Sequence, residues 1–276
     1  MEGATPLSLE RVIGISALHN SSFVSNTATG DIAYPAGSVV VLYSPARDEQ
    51  VRYFRATKSV ASLCFSADGR FLAVGERGKS PRVVVWDLQG HGGPTELLAH
   101  KYGVSCLAFG SAARPGVLVS VGFKHDRQVL LWDWRSCEVL ATARVTQKIY
   151  AVAFHENGQS FVTAGDRHVM FWELVDGSTA AQGPSADRPQ SDGTSSATAL
   201  QGQPASITEE HRGATFIDIC FARADINDSL YAVTESGVLM HFNAAKKKVE
   251  QWVNLHTARG YSITMSANAG RLATGC

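Results

Sequence analysis

The sequence has no long apolar run: no stretch approaches the roughly 18 to 20 consecutive apolar residues that span a bilayer. It has no excess charge of either sign, since 25 Lys plus Arg balance 25 Asp plus Glu for a formal net charge of 0. Polyanion binders need a basic stripe or a strong positive balance, so neither nucleic acid nor a membrane is an expected partner. The one basic run, Lys246 to Lys248, falls in a turn-like stretch and reads as solvated. Cysteine is sparse. Of the five, Cys64, Cys106 and Cys220 sit inside apolar strand patterns as small hydrophobes, leaving Cys137 and Cys276. No Cys-x-x-Cys pair or Cys/His cluster offers a metal site. The start, Met-Glu-Gly-Ala-Thr-Pro, has neither the basic region nor the apolar core of a secretion signal. Catalytic signatures are missing as well: no Gly-x-Ser-x-Gly elbow, no phosphate loop, no His-Glu-x-x-His. The expectation is a soluble intracellular protein that is not an enzyme and carries no metal or cofactor.

What is present is a repeated β pattern. The composition is ordinary globular, 45% hydrophobic and 18% charged over 276 residues, enough for one large domain. Val104 to Phe109 alternates, Gly116 to Val121 follows after a break, and Val129-Leu130-Leu131-Trp132-Asp133 closes the group. Such runs separated by turn residues make an antiparallel sheet. The same order recurs in Val60 to Phe65, Phe71 to Val74 and Val83-Val84-Val85-Trp86-Asp87, with Asp68-Gly69 as hairpin turn. It returns around an Asn157-Gly158 turn, ending at Phe171-Trp172-Glu173, and again from Phe216 to Phe242.

These phases predict a flexible lead-in over 1–11 and sheet units over 12–55, 56–99, 100–144, 145–175, 211–254 and, in part, 255–276. Val12 to Leu18 is expected to be the first strand. Residues 176–210, rich in Ser, Gly, Thr, Gln and Pro with almost no large apolar side chain, are expected to form a disordered insertion. The sixth unit stops inside a sheet, so the sequence is expected to be part of a longer protein.

The closing aromatics Tyr43, Trp86, Trp132, Trp172 and Phe242 are spaced by 43, 46, 40 and 70 residues. Removing an insertion of roughly 30 residues from the last step restores the period of about 40 to 45 typical of WD-repeat propellers. The fold class is therefore all-β, an incomplete WD40-type β-propeller of about five blades plus part of a sixth. Asp126 and Asp166 each precede their tryptophan by six positions, and Ser120 and Thr163 lie on the second strands. The resemblance to WD repeats implies a buried relay of His100, Ser120, Asp126 and Trp132. In the next blade, where Val145 replaces the histidine, it implies a shorter one of Thr163, Asp166 and Trp172. Asp87 and Asp133 join the closing aromatics. His100, Asp126 and Ser120 could be drawn as a hydrolytic triad, but a serine packed inside a blade is out of a substrate's reach.

Ile32-Ala33-Tyr34-Pro35-Ala36-Gly37, Val74-Gly75-Glu76, His100-Lys101-Tyr102-Gly103-Val104 and the run Phe161 to Trp172 are more distinctive. On them the chain resembles the amino-terminal WD-repeat region of the mitogen-activated protein kinase-binding protein family, which includes a spindle-pole paralogue linked to microcephaly. More distantly it is similar to ciliary WD-repeat proteins and the echinoderm microtubule-associated-like group. The resemblance implies a cytoplasmic scaffold, possible partners in kinase pathways or on microtubules, and a location at the cytoskeleton, centrosome, spindle or cilium. Repeat phase places Lys58, Tyr102, Gln147 and Ala214 two positions before each blade's first strand, near one rim of the ring. That rim is the expected binding surface for proteins or peptides. Tyr102 is its candidate anchor, its alternative role being packing against a neighbouring blade.

Overall fold

A computed structural model describes residues 9–17, 19–90, 92–175, 198–222, 228–265 and 271–276. Among them are five four-stranded antiparallel sheets and one two-stranded sheet, consistent with an incomplete WD40-type propeller. Blade one holds β1 (Val24–Ser25), β2 (Ile32–Ala36), β3 (Val39–Ser44) and β4 (Glu49–Arg55). Blade two holds β5 (Val60–Phe65), β6 (Phe71–Glu76), β7 (Arg82–Asp87) and β8 (Thr95–Leu98). Blade three holds β9 (Val104–Phe109), β10 (Val117–Gly122), β11 (Gln128–Asp133) and β12 (Glu138–Arg144). Blade four holds β13 (Ile149–Phe154), β14 (Ser160–Gly165), β15 (His168–Val175) and β16 (Ala199–Pro204). Blade five holds β17 (Phe216–Phe221), β18 (Ser229–Thr234), β19 (Val238–Asn243) and β20 (Lys248–Asn254). β21 (Ser262–Met265) pairs with β22 (Leu272–Gly275).

The middle strands of a blade are covered on both faces, so β10 is buried throughout and β14 nearly so, while outer strands such as β12 and β20 are largely exposed. Apolar side chains from facing blades fill the space between them: Leu107, Leu118 and Trp132 of blade three meet Ala73, Val83 and Val85 of blade two in one cluster. Burial of this kind contributes roughly 25 cal/mol per Å² and holds the stack together.

The innermost strands add polar links. Ser22 donates to the Ala61 carbonyl at 2.6 Å, Ser62 to Val104 at 3.1 Å, and Ser105 to Ile149 at 2.6 Å. Each bond carries a hydroxyl of one blade to the first strand of the next. Asp218 makes the corresponding link in the opposite sense, accepting the Ile263 N–H at 3.0 Å.

Two expectations need correction. Of the strand expected over Val12 to Leu18, residues 12–17 form none and Leu18 lies outside the described residues. Residues 11–17 have no ladder partner, Ile13 is 93% exposed, and the inner strand of blade one is the short β1, preceded by a 3-10 turn over Asn20–Ser22. The segment is held on blade one by Gln50, which bonds both the N–H and the carbonyl of Val12 at 2.8 Å, and by the Ser16 N–H, which donates to the Pro35 carbonyl at 2.8 Å. The insertion expected over 176–210 is also too long. Residues 176–197 lie outside the described residues, but Ala199–Pro204 pairs with β15 as the outer strand of blade four. The sequence Ala-Leu-Gln-Gly-Gln-Pro lacks strand composition because one edge of an outer strand is open and most of its side chains face solvent. Gly202 is required there, since a Cβ would lie 2.7 Å from the Trp172 ring.

Gly165 ends β14 against the chain entering β13: a Cβ would stand 2.0 Å from the Lys148 carbonyl oxygen and 2.8 Å from Ile149 Cα. Both obstacles are backbone and cannot rotate away. Gly165→Ala is expected to destabilise the fold by about 2 to 4 kcal/mol. Gly92→Ala, where nothing lies within 4 Å, should be close to neutral. Thermal melts of the two variants against the parent chain check this, and equal losses would contradict it.

Candidate functional site: relays, caps and the rim

Antiparallel connectivity brings two kinds of loop to one end of the stack: those entering each first strand and those joining the second strand to the third. Lys58, Tyr102, Gln147 and Ala214 all lie in entering loops and so share this rim. The loops are stitched to each other, Gly78 N–H donating to the Tyr102 carbonyl at 2.9 Å and Arg167 N–H to Ala214 at 3.1 Å.

Beneath the rim of blade three, Trp132 Nε1 donates to Ser120 Oγ at 2.8 Å, and the same oxygen lies 2.7 Å from His100 Nε2. His100 Nδ1 stands 3.3 Å from Asp126 Oδ2, a longer and less aligned contact than the other two. Since the serine oxygen accepts from tryptophan, its own proton is directed to the imidazole, and the Nδ1 proton faces the carboxylate. Ser120 is fully buried. Its arrangement with His100 and Asp126 copies a triad, yet its oxygen is committed to an indole and sealed inside the blade. It cannot serve as a nucleophile.

Asp126 does more than close the relay. Its carboxylate accepts the Lys101 N–H at 2.9 Å and the Tyr102 N–H at 3.4 Å. Burial alone would raise its pKa, but His100 and these two N–H groups outweigh burial and hold it below the usual carboxylate value. Blade two reaches the same result with another residue. Glu76 is fully buried, and accepts the N–H groups of Thr57 at 2.7 Å, Lys58 at 3.0 Å and Arg82 at 3.0 Å. Register shows Glu76 occupying the position of Gly122, from which a longer side chain reaches the equivalent amides. Blade two has Val74 where blade three has Ser120, and among the described residues the buried Trp86 Nε1 has no partner.

Blade four differs from expectation. Thr163 Oγ1 accepts from Trp172 Nε1 at 2.9 Å, but its second partner is His168 Nε2 at 2.8 Å, not Asp166. Asp166 is half-buried and its backbone bridges Thr215, so it stands outside the relay. His168 lies at the start of the third strand, and its ring reaches Thr163 from there. The matched spacing to Trp172 pointed to Asp166, whereas the signal for His168 was the alternation of β15, which turns residue 168 inward with Met170 and Trp172 on the pleat.

The closing residues divide between core and turns. Phe242 is fully buried, whereas Tyr43 is partly exposed and donates its hydroxyl to Asp48. Asp87 accepts the Gln89 N–H at 2.9 Å and pairs with Arg70 at 2.7 Å, which holds its carboxyl far below the usual range. Asp133 accepts the N–H groups of Arg135 and Ser136, an Asx turn at the opposite end of the blade from the rim. At the rim, Tyr102 is 53% exposed with its ring edge-on to His125, Lys58 turns its ammonium onto the Lys79 and Ser80 carbonyls, and Gln147 accepts from Thr146. Among the described residues no group of three or more His, Cys, Asp or Glu could hold a metal ion, and no helix is long and apolar enough to cross a membrane.

Burial depresses the His168 pKa from 6.5 to about 4. Its neutral form is therefore the folded form, and stability present above pH 6.5 is lost as pH falls toward 4, by up to ~3 kcal/mol. Asp218 shifts the other way, burial pushing it up to about 7, so a whole-chain profile mixes the two. The expected result is that the denaturation midpoint of the parent chain falls more between pH 7 and pH 4.5 than that of His168→Gln. Parallel curves would remove His168 as the cause.

Comparison with known proteins agrees with this geometry. The family model for WD domain, G-beta repeat, matches residues 48–87 and 137–173. WD repeat-containing protein 62 of Mus musculus is 34% identical over 261 residues, 94% of this chain and 16% of its own length. Mitogen-activated protein kinase-binding protein 1 of Mus musculus is 33% identical over 264 residues, 95% of this chain and 16% of its own length. The chain thus spans about a sixth of the relatives it matches. A chain of the solved Mitotic Checkpoint Complex superimposes with a TM-score of 0.67 at 15% identity, covering 99% of this chain and 79% of that one, a likeness of fold alone.

Proposed function

From a WD40 propeller region related at moderate identity to WD repeat-containing protein 62 and a mitogen-activated protein kinase-binding protein, we propose a non-catalytic scaffold that binds partner proteins at its rim. WD40 propellers are characteristically non-catalytic interaction scaffolds, and the observation that carries the reading here is the pair of buried carboxylates. Glu76 and Asp126 clamp the loops bearing Lys58 and Tyr102 through backbone N–H groups, so side chains at the rim stand on fixed supports. Pre-ordering of this kind lowers the entropy cost of binding. An exposed tyrosine on such a support suits a contact anchor, with large apolar area and only two rotatable bonds.

The kinase-pathway setting is inferred from the printed name of one relative, and a cytoplasmic place at the cytoskeleton, spindle or cilium from the wider resemblance. Microscopy of the tagged chain in dividing cells decides the second: diffuse signal throughout division would count against it.

Tyr102→Ala removes the exposed ring and leaves the amide that Asp126 holds. Recovery of a specific partner in a pull-down is expected to drop by about fivefold or more, the loss of a contact above ~1 kcal/mol, with an unchanged melting temperature. Equal recovery from a folded variant would take Tyr102 out of the binding surface.

A further inference from the structure

Net neutrality conceals a strong asymmetry between the two ends of the stack. The rim loops of blades two to four carry Arg77, Lys79, Lys101, Lys124, Arg127 and Arg167, all exposed. Among the described residues none of the six forms an ion pair. The carboxylates in the same loops are withdrawn from the surface: Glu76 and the Asp126 side chain are fully buried on backbone amides, and Asp166 is half-buried. The opposite end mixes signs, with Arg70 paired to Asp87 and Arg47 to Glu49.

Two further features give the cations a shape. Lys148 lies over the Tyr150 ring at 4.5 Å, and His19, edge-on to the same ring, has its pKa lowered by burial and then by Lys148 and Arg77. Positive charge from two separate loops thus converges on one spot. Farther along, a depression of about 370 Å³ opens on blade four and the segment that follows its outer strand, with Gln147, Arg167 and Arg212 beside an apolar wall of Met170 and Ile207. Exposed Glu209 and Glu210 end the arc on that side. Tyr102 stands between Lys101 and the exposed Lys124–His125 pair.

We propose that this arc docks an acidic segment of a partner protein, its carboxylates across the cations of blades two to four and an apolar side chain in the depression beside Gln147. The inference rests on the scaffold reading and supplies the chemistry of its partner. A short acidic peptide fits better than a nucleic acid. Charges more than a Debye length of about 8 Å apart are screened, so a long polyanion leaving the arc meets a surface of no net attraction, while a short segment stays within it. The depression also asks for an apolar side chain, which a phosphodiester backbone does not carry.

The test uses fluorescence anisotropy of the full chain with a labelled peptide of about twelve residues, alternating Glu and Gly around one Leu. Binding is expected at low salt and should weaken as salt rises past about 0.15 M. The double variant Lys101→Glu/Lys124→Glu should bind about tenfold more weakly or worse, and Arg47→Glu, at the opposite end, as the parent does. Equal binding of a Gln-for-Glu peptide, insensitivity to the double variant, or tighter binding of a single-stranded oligonucleotide of equal charge would each overturn the proposal. A partner still recovered through Tyr102, with no acidic peptide bound, would refute this inference and leave the scaffold standing.

Discussion

A carboxylate inside a protein stays ionised only if donors surround it, and that requirement shapes the rim. Asp126 is met by the Lys101 and Tyr102 amides and by His100; Glu76 is met by three backbone amides. Each buried charge therefore dictates the path of the loop that enters its blade. Because the loop cannot move without abandoning a charge in the interior, the side chains at 58 and 102 inherit its rigidity. The Trp–Ser–His relay lies one layer deeper, and orients His100 so that its second nitrogen faces Asp126.

The same need is answered differently along the chain, and this is where the sequence becomes hard to read. Blade three uses a residue from each of four positions and was legible by phase. Blade two reaches the same amides from β6, with a glutamate in a glycine's place, and no motif marks the exchange. Blade four keeps the threonine–tryptophan pair but recruits His168 from the third strand, so an aspartate matched in spacing stands idle. Register decides these cases, and bulges such as that between Val60 and Ser62 shift it by one residue. Spacing counted along the chain cannot register a displacement that arises only on pairing.

The fold itself was far more legible. Apolar alternation, hairpin glycines and a period near 40 locate the middle strands of each blade because those strands must be apolar on both faces. Outer strands escape the rule. Ala199–Pro204 is polar, follows low-complexity sequence and owes its conformation to the ladder with β15. Residues 12–15 err in the other direction, with three apolar residues in four but no neighbouring strand to pair with. Composition reports what a segment could bury; it does not report whether a partner is there.

Charge shows the same limit at the scale of the molecule. A formal net charge of 0 argued against nucleic acid and membranes as partners, and for long-range steering the argument holds. Contact recognition is local, however, and depends on which side chains the topology gathers at one end. Alternate loops go to opposite ends of a propeller, so a chain balanced overall can present one basic face. Here the imbalance is sharpened by the buried caps: the carboxylates that stiffen the rim are the ones removed from its surface. Rigidity and positive charge at the rim of blades two and three thus have one origin, since the loop entering each is fixed by hiding the negative charge that would have neutralised it.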